Sequence, residues 1–283
     1  MARVAIVTDS AADLLPDVAA ANGITVVPLI LSFGTDEYKA GTDISTDEFW
    51  RRMTAPDAPF PKTAASSPGD FRAAYEKAFA GGADAVVSVH PGGTLSGTLK
   101  AAQAGRAMLP DREIHVVDSG SASMGEGILA MLGVELAGMG VAAEEIARIL
   151  TDRANDLDLY VALDTLEYLK KGGRISGARA AIGTLLSVKP IITIRNGEVE
   201  AIEKPRTSGK ARARVVQLLT ERPVERVAIL YTPPADGESF KREVMERLGG
   251  SVDASAVSVH QVGSSVGPHV GPACVGGVIL LKR

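Results

Sequence analysis

The sequence predicts an α/β protein with two domains. In the first half of the chain, short apolar segments alternate with amphipathic ones, a pattern typical of βαβ units around a parallel sheet. The second half contains a hairpin pattern over Asn196-Gly197, which indicates a mixed sheet. A length of 283 residues allows two domains of medium size. We expect domains over residues 1–156 and 157–283, because the pattern changes near Asp156.

The first domain is predicted from apolar β-rich runs and from helical periodicity between them. Asp47 is expected to cap the helix that follows it, and Pro68 is expected to open the next helix. The predicted strands are 4–7, 24–31, 85–89 and 114–117, and the predicted helices are 14–21, 48–53, 68–79, 96–108, 125–138 and 143–154.

The second domain follows from the same signals. Its predicted strands are 160–163, 191–194, 199–202, 227–231, 256–262 and 278–281, and its predicted helices are 165–171, 178–187, 209–221 and 237–248. Together with the first domain, these elements predict a parallel-sheet domain followed by a mixed α/β domain.

Small polar residues follow three predicted strands of the first domain. They are Thr8-Asp9-Ser10, the turn from Gly92 to Ser96, and Asp118-Ser119. Ligands of parallel sheets bind beyond the carboxyl ends of the strands. We therefore expect these three segments to form one polar rim.

Composition argues against several classes of function. A formal net charge of -4 and an aromatic content of 4% disfavour a nucleic-acid binder. The single cysteine, Cys274, excludes an intrachain disulfide and is expected to be a small buried residue. The N-terminus lacks the apolar core of a signal peptide, and no run reaches the ~18 apolar residues of a membrane span. We expect a cytoplasmic protein without a membrane span.

Metal and nucleophile motifs are absent from the sequence. The four histidines show no metal-ligand spacing, so we expect no metal site. The segment Gly120 to Gly125 lacks the GxSxG spacing of a hydrolase, and no nucleophile–base pair can be recognised. His269 lies in a rigid Gly/Pro-rich turn, where its imidazole can meet an anion or remain an ordinary surface side chain.

Two glycine-containing segments are candidates for an anion site. Gly172 and Gly173 allow a sharp turn before Arg174, and Lys204 and Arg206 add positive charge after the hairpin. The alternative is a helix end followed by solvated basic residues.

The second candidate is the turn from Gly92 to Thr98, which joins a strand to a helix. Its backbone N–H groups can cradle an anion, although it matches neither a Walker A loop nor GxGxxG. The alternative is an ordinary capped turn between strand and helix.

The sequence resembles the DegV family of bacterial fatty-acid-binding proteins over nearly its whole length. The resemblance is most specific at Tyr168-Leu169-Lys170-Lys171-Gly172-Gly173-Arg174-Ile175-Ser176 followed by Lys189-Pro190. Further matching residues are Thr8 to Leu14, Pro28-Leu29, Thr63, Pro68 to Phe71, Leu95 to Thr98, Asp118-Ser119, Ser123, Gly125, Gly127, Asp164 to Leu169, Lys204, Arg206, His269, Gly271 and Pro272.

This resemblance implies a DegV-like fold, with a three-layer first domain and a fatty acid bound between the domains. It implies a non-enzymatic carrier without a cofactor, which presents the fatty-acid carboxylate to a separate ATP-dependent fatty acid kinase. The product would be an acyl phosphate for phospholipid synthesis. By the same resemblance, Thr63, Gly92, Gly93 and Ser96 would hold the carboxylate, while Arg174, Arg206 and His269 would face the phosphate or the kinase.

The chain departs from the family at the expected headgroup site. Relatives commonly carry Thr-Ser-Gln-Pro where this chain has Thr63-Ala64-Ala65-Ser66, and a Ser-Ser pair where it has Gly92-Gly93. We expect the amides of Gly92 and Gly93, together with the hydroxyls of Ser96 and Ser66, to replace the missing hydroxyls. Two other functions stay open: a binder or sensor of another small carboxylate, and a phosphotransferase or hydrolase that uses the same cleft. Helical residues 128–132 and 180–182 are candidates to line the acyl tunnel.

Overall fold

The computed structural model describes residues 2–175 and 188–283. The helix predicted over 178–187, and with it residues 180–182, lies outside the described residues. The described strands are β1 (Val4–Asp9), β2 (Thr25–Val27), β3 (Ile30–Phe33), β4 (Asp36–Lys39), β5 (Lys62–Ala64), β6 (Ala85–His90), β7 (Glu113–Asp118), β8 (Leu157–Ala162), β9 (Ile191–Arg195), β10 (Glu198–Glu203), β11 (Val224–Tyr231), β12 (Val257–Gln261) and β13 (Val275–Leu281).

Helices occupy most of the positions that periodicity predicts. Throughout the described ranges, no helix is long and apolar enough to cross a bilayer. The described helices are α1 (Pro16–Ala21), α2 (Thr46–Met53), α3 (Pro68–Ala80), α4 (Thr98–Ala107), α5 (Met124–Gly138), α6 (Ala143–Arg153), α7 (Glu167–Lys171), α8 (Ser208–Thr220), α9 (Gly237–Leu248) and α10 (Gly267–Val270).

The first domain is built on a parallel sheet between two helical layers. Its strands lie in the order β2-β1-β6-β7, and every pairing is parallel. Ile6, Val87 and Val89 pack on the side of α5 and α6, whereas Val7 and Val86 pack on the side of α3 and α4. Strand residues alternate between the two faces, so both layers are held by burial of apolar side chains. The predicted three-layer α/β fold is confirmed.

A small antiparallel sheet was not predicted. The expected single strand over 24–31 is broken at Pro28-Leu29, because proline has no N–H for the strand ladder. The chain then leaves the parallel sheet, and β3 pairs with β4 on one side and β5 on the other. This sheet matters for the site because it places Thr63, in β5, opposite Leu31.

Helix α2 begins earlier than the sequence pattern indicated. The expected cap, Asp47, lies inside its first turn. Ser45 caps the helix instead, and its hydroxyl accepts from the Glu48 N–H at 3.2 Å. Asp47 and Glu48 still stabilise this end, since carboxylates near a helix N-terminus interact favourably with the helix dipole.

The second domain contains a six-stranded mixed sheet in the order β10-β9-β8-β13-β11-β12. The predicted hairpin over Asn196-Gly197 is confirmed, because β9 and β10 pair in antiparallel register across it. Helices α8 and α9 cover one face of the sheet. The opposite face turns toward the first domain, where Leu159, Val161 and Leu230 form one core with Met124 and Ile128.

The two halves of the chain are joined by specific polar contacts as well as by this shared core. The Arg226 guanidinium donates to both carboxylate oxygens of Glu135, at 2.7 and 2.5 Å. On another side, the Trp50 indole N–H donates to the Val262 carbonyl at 2.8 Å. Strand β8 begins at Leu157, and we propose that the domain boundary lies between residues 156 and 157.

Candidate functional site

A mostly apolar cavity lies between the two domains. One wall comes from the loops that follow the strands of the first domain, and the other comes from the face of the mixed sheet that turns toward that domain. The cavity encloses about 1140 Å³ of empty space, including open solvent at its mouth. The described residues that line it are Ala11, Leu29, Thr63, Ala64, Ala65, Pro91, Leu95, Ser96, Gly97, Ala122, Ser123, Leu159, Val161, Leu169, Arg174, Ile192, Ile194, Val199, Leu230, Tyr231, Val262, Ser265, Val266, His269, Val270 and Cys274.

The floor of the cavity is an apolar row of strand residues. Val161 pairs with Ile192 across β8 and β9, and Ile194 pairs with Val199 across β9 and β10. Directly paired residues point to the same face of a sheet, so these four side chains form a continuous aliphatic surface. Helical residues 128–132 are not among the described lining residues, and Ile128 packs in the core that the two domains share. Leu129 and Ala130 instead pack inside the first domain.

Four of the predicted site residues meet at one place on the cavity wall, which we call the polar end: Thr63, Ser96, Arg174 and His269. Thr63 Oγ1 and His269 Nε2 are 3.1 Å apart. Arg174 donates from Nε to the Leu95 carbonyl at 3.0 Å and from Nη1 to the Gly172 carbonyl at 2.7 Å. These contacts hold a guanidinium and a hydroxyl in the wall of a mostly aliphatic cavity.

The local sequence explains how Arg174 reaches the polar end. The last turn of α7 leads into Gly172 and Gly173, and Gly173 has a φ of +74°, which a residue with a side chain rarely adopts. The reversed chain directs Arg174 across to Leu95 in the other domain. The basic motif therefore forms part of the cavity wall as well as part of the surface.

His269 is neutral at physiological pH. Burial, with a further contribution from the positive charge of Arg174, lowers the pKa of His269 to about 4. One nitrogen of a neutral imidazole donates and the other accepts. The polar end therefore carries one fixed positive charge, that of Arg174, among its four residues.

The structure does not support the expected role of Gly92 and Gly93. The Gly92 N–H donates to the Ser121 carbonyl at 2.9 Å, and the Gly93 N–H donates to Asp118 Oδ2 at 3.3 Å. Neither glycine is among the described lining residues. Both amides already have acceptors in the neighbouring strand-end loop, so our proposal does not assign them to the carboxylate. Ser96 does line the cavity, and its hydroxyl is paired with that of Thr98 at 2.8 Å.

Arg206 lies elsewhere. It is exposed after β10 and is not among the described residues that line the cavity. The structure thus brings together Thr63, Ser96, Arg174 and His269, and it leaves Arg206 on the surface. Its expected contact with a phosphate or a kinase remains a prediction.

A second polar group, behind the cavity wall, was missed by sequence reasoning. The buried Asp13 carboxylate accepts from the Ser123 hydroxyl at 2.6 Å and from the Gly263 N–H at 2.8 Å. Burial raises the pKa of Asp13 to about 7, and these two hydrogen bonds partly offset the effect of burial. Asp13 and Ser123 both have positive φ, of 51° and 55°. This connection links the two domains beside the cavity. Asp13 and Ser123 both match the family pattern, but the pattern alone did not assign either residue to the site.

A third group of ionisable residues is fully buried in the first domain. Asp9, His90 and Glu126 place ligand atoms within 4.8 Å of one another, spacing that would suit a metal ion. Most of these atoms already make hydrogen bonds within the protein. His90 Nδ1 is 2.7 Å from Asp9 Oδ2, and His90 Nε2 is 2.6 Å from the Ser88 hydroxyl. The network joins the ends of β1 and β6 directly behind the cavity wall.

Glu126 belongs to the same buried network. Burial and the nearby Asp9 charge hold the pKa of Glu126 well above its usual range. The Thr8 hydroxyl contacts both the Val89 carbonyl and Glu126 Oε1, at 3.0 and 2.6 Å. A hydroxyl has one hydrogen, so the pair is satisfied when Thr8 donates to Val89 and a protonated Glu126 donates to Thr8.

Cys274 is buried in the cavity wall, as expected for a small packing residue. Burial raises the pKa of its thiol to about 12, so the sulfur is not an ionised nucleophile. The thiol donates to the Val270 carbonyl at 3.2 Å.

The fold and cavity define a class of protein: two α/β lobes with a mostly apolar cavity between them, which one arginine and several hydroxyl groups also line. The chain belongs to the DegV family, whose model, described as an uncharacterised protein of that family, matches residues 3–282. A DegV domain-containing protein of Streptomyces coelicolor is 34% identical over 98% of both chains.

Solved structures of similar proteins share this architecture. A DegV family protein from Thermus thermophilus, described by its fatty acid binding, is 33% identical and has a TM-score of 0.90, with 99% of this chain and 100% of that chain covered. DegV from Bacillus subtilis, described as a fatty acid binding protein, is 28% identical with a TM-score of 0.87, and both chains are covered completely.

Proposed function

We propose that this protein binds a long-chain fatty acid and presents its carboxylate to a separate ATP-dependent kinase, which forms an acyl phosphate for phospholipid synthesis. One observation carries the proposal: a mostly apolar cavity between two lobes whose lining includes the Thr63 hydroxyl and the Arg174 guanidinium. Such a space suits an aliphatic chain with one anionic end. The fatty acid binding described for the similar Thermus and Bacillus proteins supports the same ligand class.

The tail provides most of the affinity in this proposal. Burial of one methylene gains roughly 0.8 kcal/mol, so about fifteen methylenes gain on the order of 12 kcal/mol before association costs are subtracted. A hydrogen bond to a charged group adds only about 1.5–3 kcal/mol. The polar end therefore sets the orientation of the ligand.

An enzymatic role in the same cavity is the alternative that geometry disfavours. Thr63 and His269 resemble a nucleophile and base, since a hydroxyl lies within hydrogen-bonding distance of an imidazole. No carboxylate among the described residues orients this imidazole, because His269 Nδ1 is buried without a partner. A lowered pKa also makes His269 a weak base at neutral pH.

Native mass spectrometry of freshly purified protein tests the ligand. We expect a co-purified mass of a long-chain fatty acid, and after delipidation we expect the protein to take up oleate. The proposal would be contradicted if the protein carried a polar ligand, or if the delipidated protein did not bind oleate. Incubation with ATP and oleate should yield no acyl phosphate until a fatty acid kinase is added, and formation without the kinase would favour the enzymatic alternative.

Arg174→Ala separates ligand binding from presentation. We expect the affinity for oleate to change by less than about threefold, because in this proposal Thr63 holds the carboxylate whereas Arg174 faces the phosphate and the kinase. Kinase-dependent acyl phosphate formation should fall roughly 10- to 100-fold, as expected for a lost hydrogen bond to a charged group. Both quantities can be measured on one preparation.

Arg195→Ala is the matched control, since Arg195 is an exposed arginine at the end of β9 that does not line the cavity. It should leave both quantities unchanged. Equal losses of binding and phosphorylation in Arg174→Ala would contradict the separate role of this guanidinium.

A further inference from the structure

The imidazole of His269 has one nitrogen with no hydrogen-bond partner. Nδ1 is buried, and no donor or acceptor among the described residues reaches it. Its other nitrogen, Nε2, lies 3.1 Å from the Thr63 hydroxyl. Geometry between Nε2 and Oγ1 allows two arrangements: the imidazole donates to the hydroxyl, or the hydroxyl donates to the imidazole. They have opposite consequences for a carboxylate in the cavity.

Gly172 decides between these arrangements. A Cβ built on Gly172 would lie 2.2 Å from His269 Nδ1 and 3.0 Å from Cε1. The second α-hydrogen of glycine points in the direction that a Cβ would take, so it points at Nδ1. A Cα–H group is a weak donor that suits a nitrogen lone pair. A proton on Nδ1 would instead clash with this hydrogen. The neutral imidazole therefore carries its proton on Nε2.

The proton on Nε2 sets the direction of the Thr63 hydroxyl. His269 then donates to Thr63 Oγ1, which occupies an acceptor position of the hydroxyl and leaves its single hydrogen unused. Among the described residues, Thr63 Oγ1 has no other hydrogen-bond partner. Thr63 lines the cavity, so its hydrogen can be donated to a carboxylate oxygen there. With the opposite tautomer, Thr63 would present only lone pairs to an anion.

We propose that Gly172 is a positioning residue that fixes the tautomer of His269 and, through it, makes Thr63 a donor to the ligand carboxylate. The inference rests on the proposed fatty-acid function for its ligand, whereas the tautomer itself is a property of the protein alone. Gly172 also accepts from Arg174 through its carbonyl, at 2.7 Å. One short backbone segment therefore positions both the cation and, indirectly, the hydroxyl of the polar end.

Nitrogen NMR of histidine-labelled protein tests the tautomer directly. Long-range ¹⁵N–¹H correlation distinguishes a protonated Nε2 from a protonated Nδ1. We expect His269 to carry its proton on Nε2 in delipidated protein and in protein loaded with oleate. A proton on Nδ1 would overturn the proposal, even if the protein binds oleate well. Failure to bind oleate with the expected tautomer present would count against the fatty-acid function alone.

Variants test the link from Gly172 to Thr63. Gly172→Ala should displace the imidazole, alter its nitrogen signals and weaken oleate binding roughly 10- to 100-fold, as should Thr63→Val, which keeps the shape but removes the hydroxyl. The double variant should bind no more weakly than Thr63→Val, because both changes remove the same hydrogen bond. Losses that multiply would overturn the proposal.

Gly173→Ala is the control for general damage to the turn. No atom lies within 4 Å of a Cβ at this position, although its φ of +74° strains any side chain there. We expect the His269 nitrogen signals of this variant to match those of the wild type. The wild-type spectrum remains decisive should Gly172→Ala fail to fold.

Discussion

Ala122→Phe should weaken oleate binding roughly 200-fold while the protein remains folded. Ala122 lines the cavity just before α5 begins at Met124. A phenyl group there occupies the volume of about four methylenes of the ligand. The surrounding side chains are too closely packed to move and restore that volume. About four methylenes correspond to about 3 kcal/mol, which is roughly 200-fold in Kd.

A series of shorter fatty acids turns this expected loss into a test of the cavity. An acid about four carbons shorter than oleate should bind the variant and the wild type with similar affinity, since the phenyl group replaces only the excluded methylenes. Ala20→Phe, at an exposed position of α1, should leave the whole series unchanged. Unaltered oleate affinity in a folded Ala122→Phe protein would show that the tail does not occupy this cavity.

The sequence predicts the first domain well because its signals are local. Runs such as 85–89 are continuous and apolar, which is typical of strands buried on both faces of a parallel sheet. The structure places β6 there and makes it a central strand. The polar residues after β1, β6 and β7 therefore lie at the same edge of the sheet, where the polar rim was predicted.

The small sheet of β3, β4 and β5 could not be predicted in the same way. Strand β4 is polar and largely exposed, so it lacks the alternation that marks a half-buried strand. Strand β5 has only three residues, and it forms through pairing of Thr63 with the distant Leu31. Such pairing depends on the tertiary fold, and local propensity is a weak guide to it.

The candidate site shows the same division between local and non-local signals. Thr63, Ser96, Arg174 and His269 were identified from motifs, and they meet at the polar end. The amides of Gly92 and Gly93 were expected to be open donors, because a glycine-rich turn before a helix leaves such groups unpaired. Their acceptors come from the last residue of β7 and from the loop after it, 25 residues or more along the chain, which a motif cannot reveal.

We expect Asp13→Asn to raise the free energy of unfolding of the delipidated protein relative to wild type. This gain should be larger at pH 8 than at pH 4 by on the order of 4 kcal/mol. The pKa of Asp13 is raised from 3.8 to about 7 by burial, so between these values the folded state retains a proton that the unfolded state has lost. Wild-type stability therefore falls as the pH rises through this window and levels off above about 7. Asparagine is neutral throughout, accepts from Gly263, donates to Ser123 and tolerates positive φ.

The measurable quantity is the difference in free energy of unfolding between Asp13→Asn and wild type, from urea unfolding at several pH values. Groups common to both proteins cancel in this difference, including Glu126, whose raised pKa acts in the same direction. Asp36→Asn, an exposed carboxylate in β4, should give a difference that barely changes with pH. A difference that stays constant from pH 4 to pH 8 for Asp13→Asn would mean that the buried carboxyl is ionised in the folded protein throughout. The link between Asp13, Ser123 and Gly263 would then be a charged connection between the domains, held by its two donors against the cost of burial.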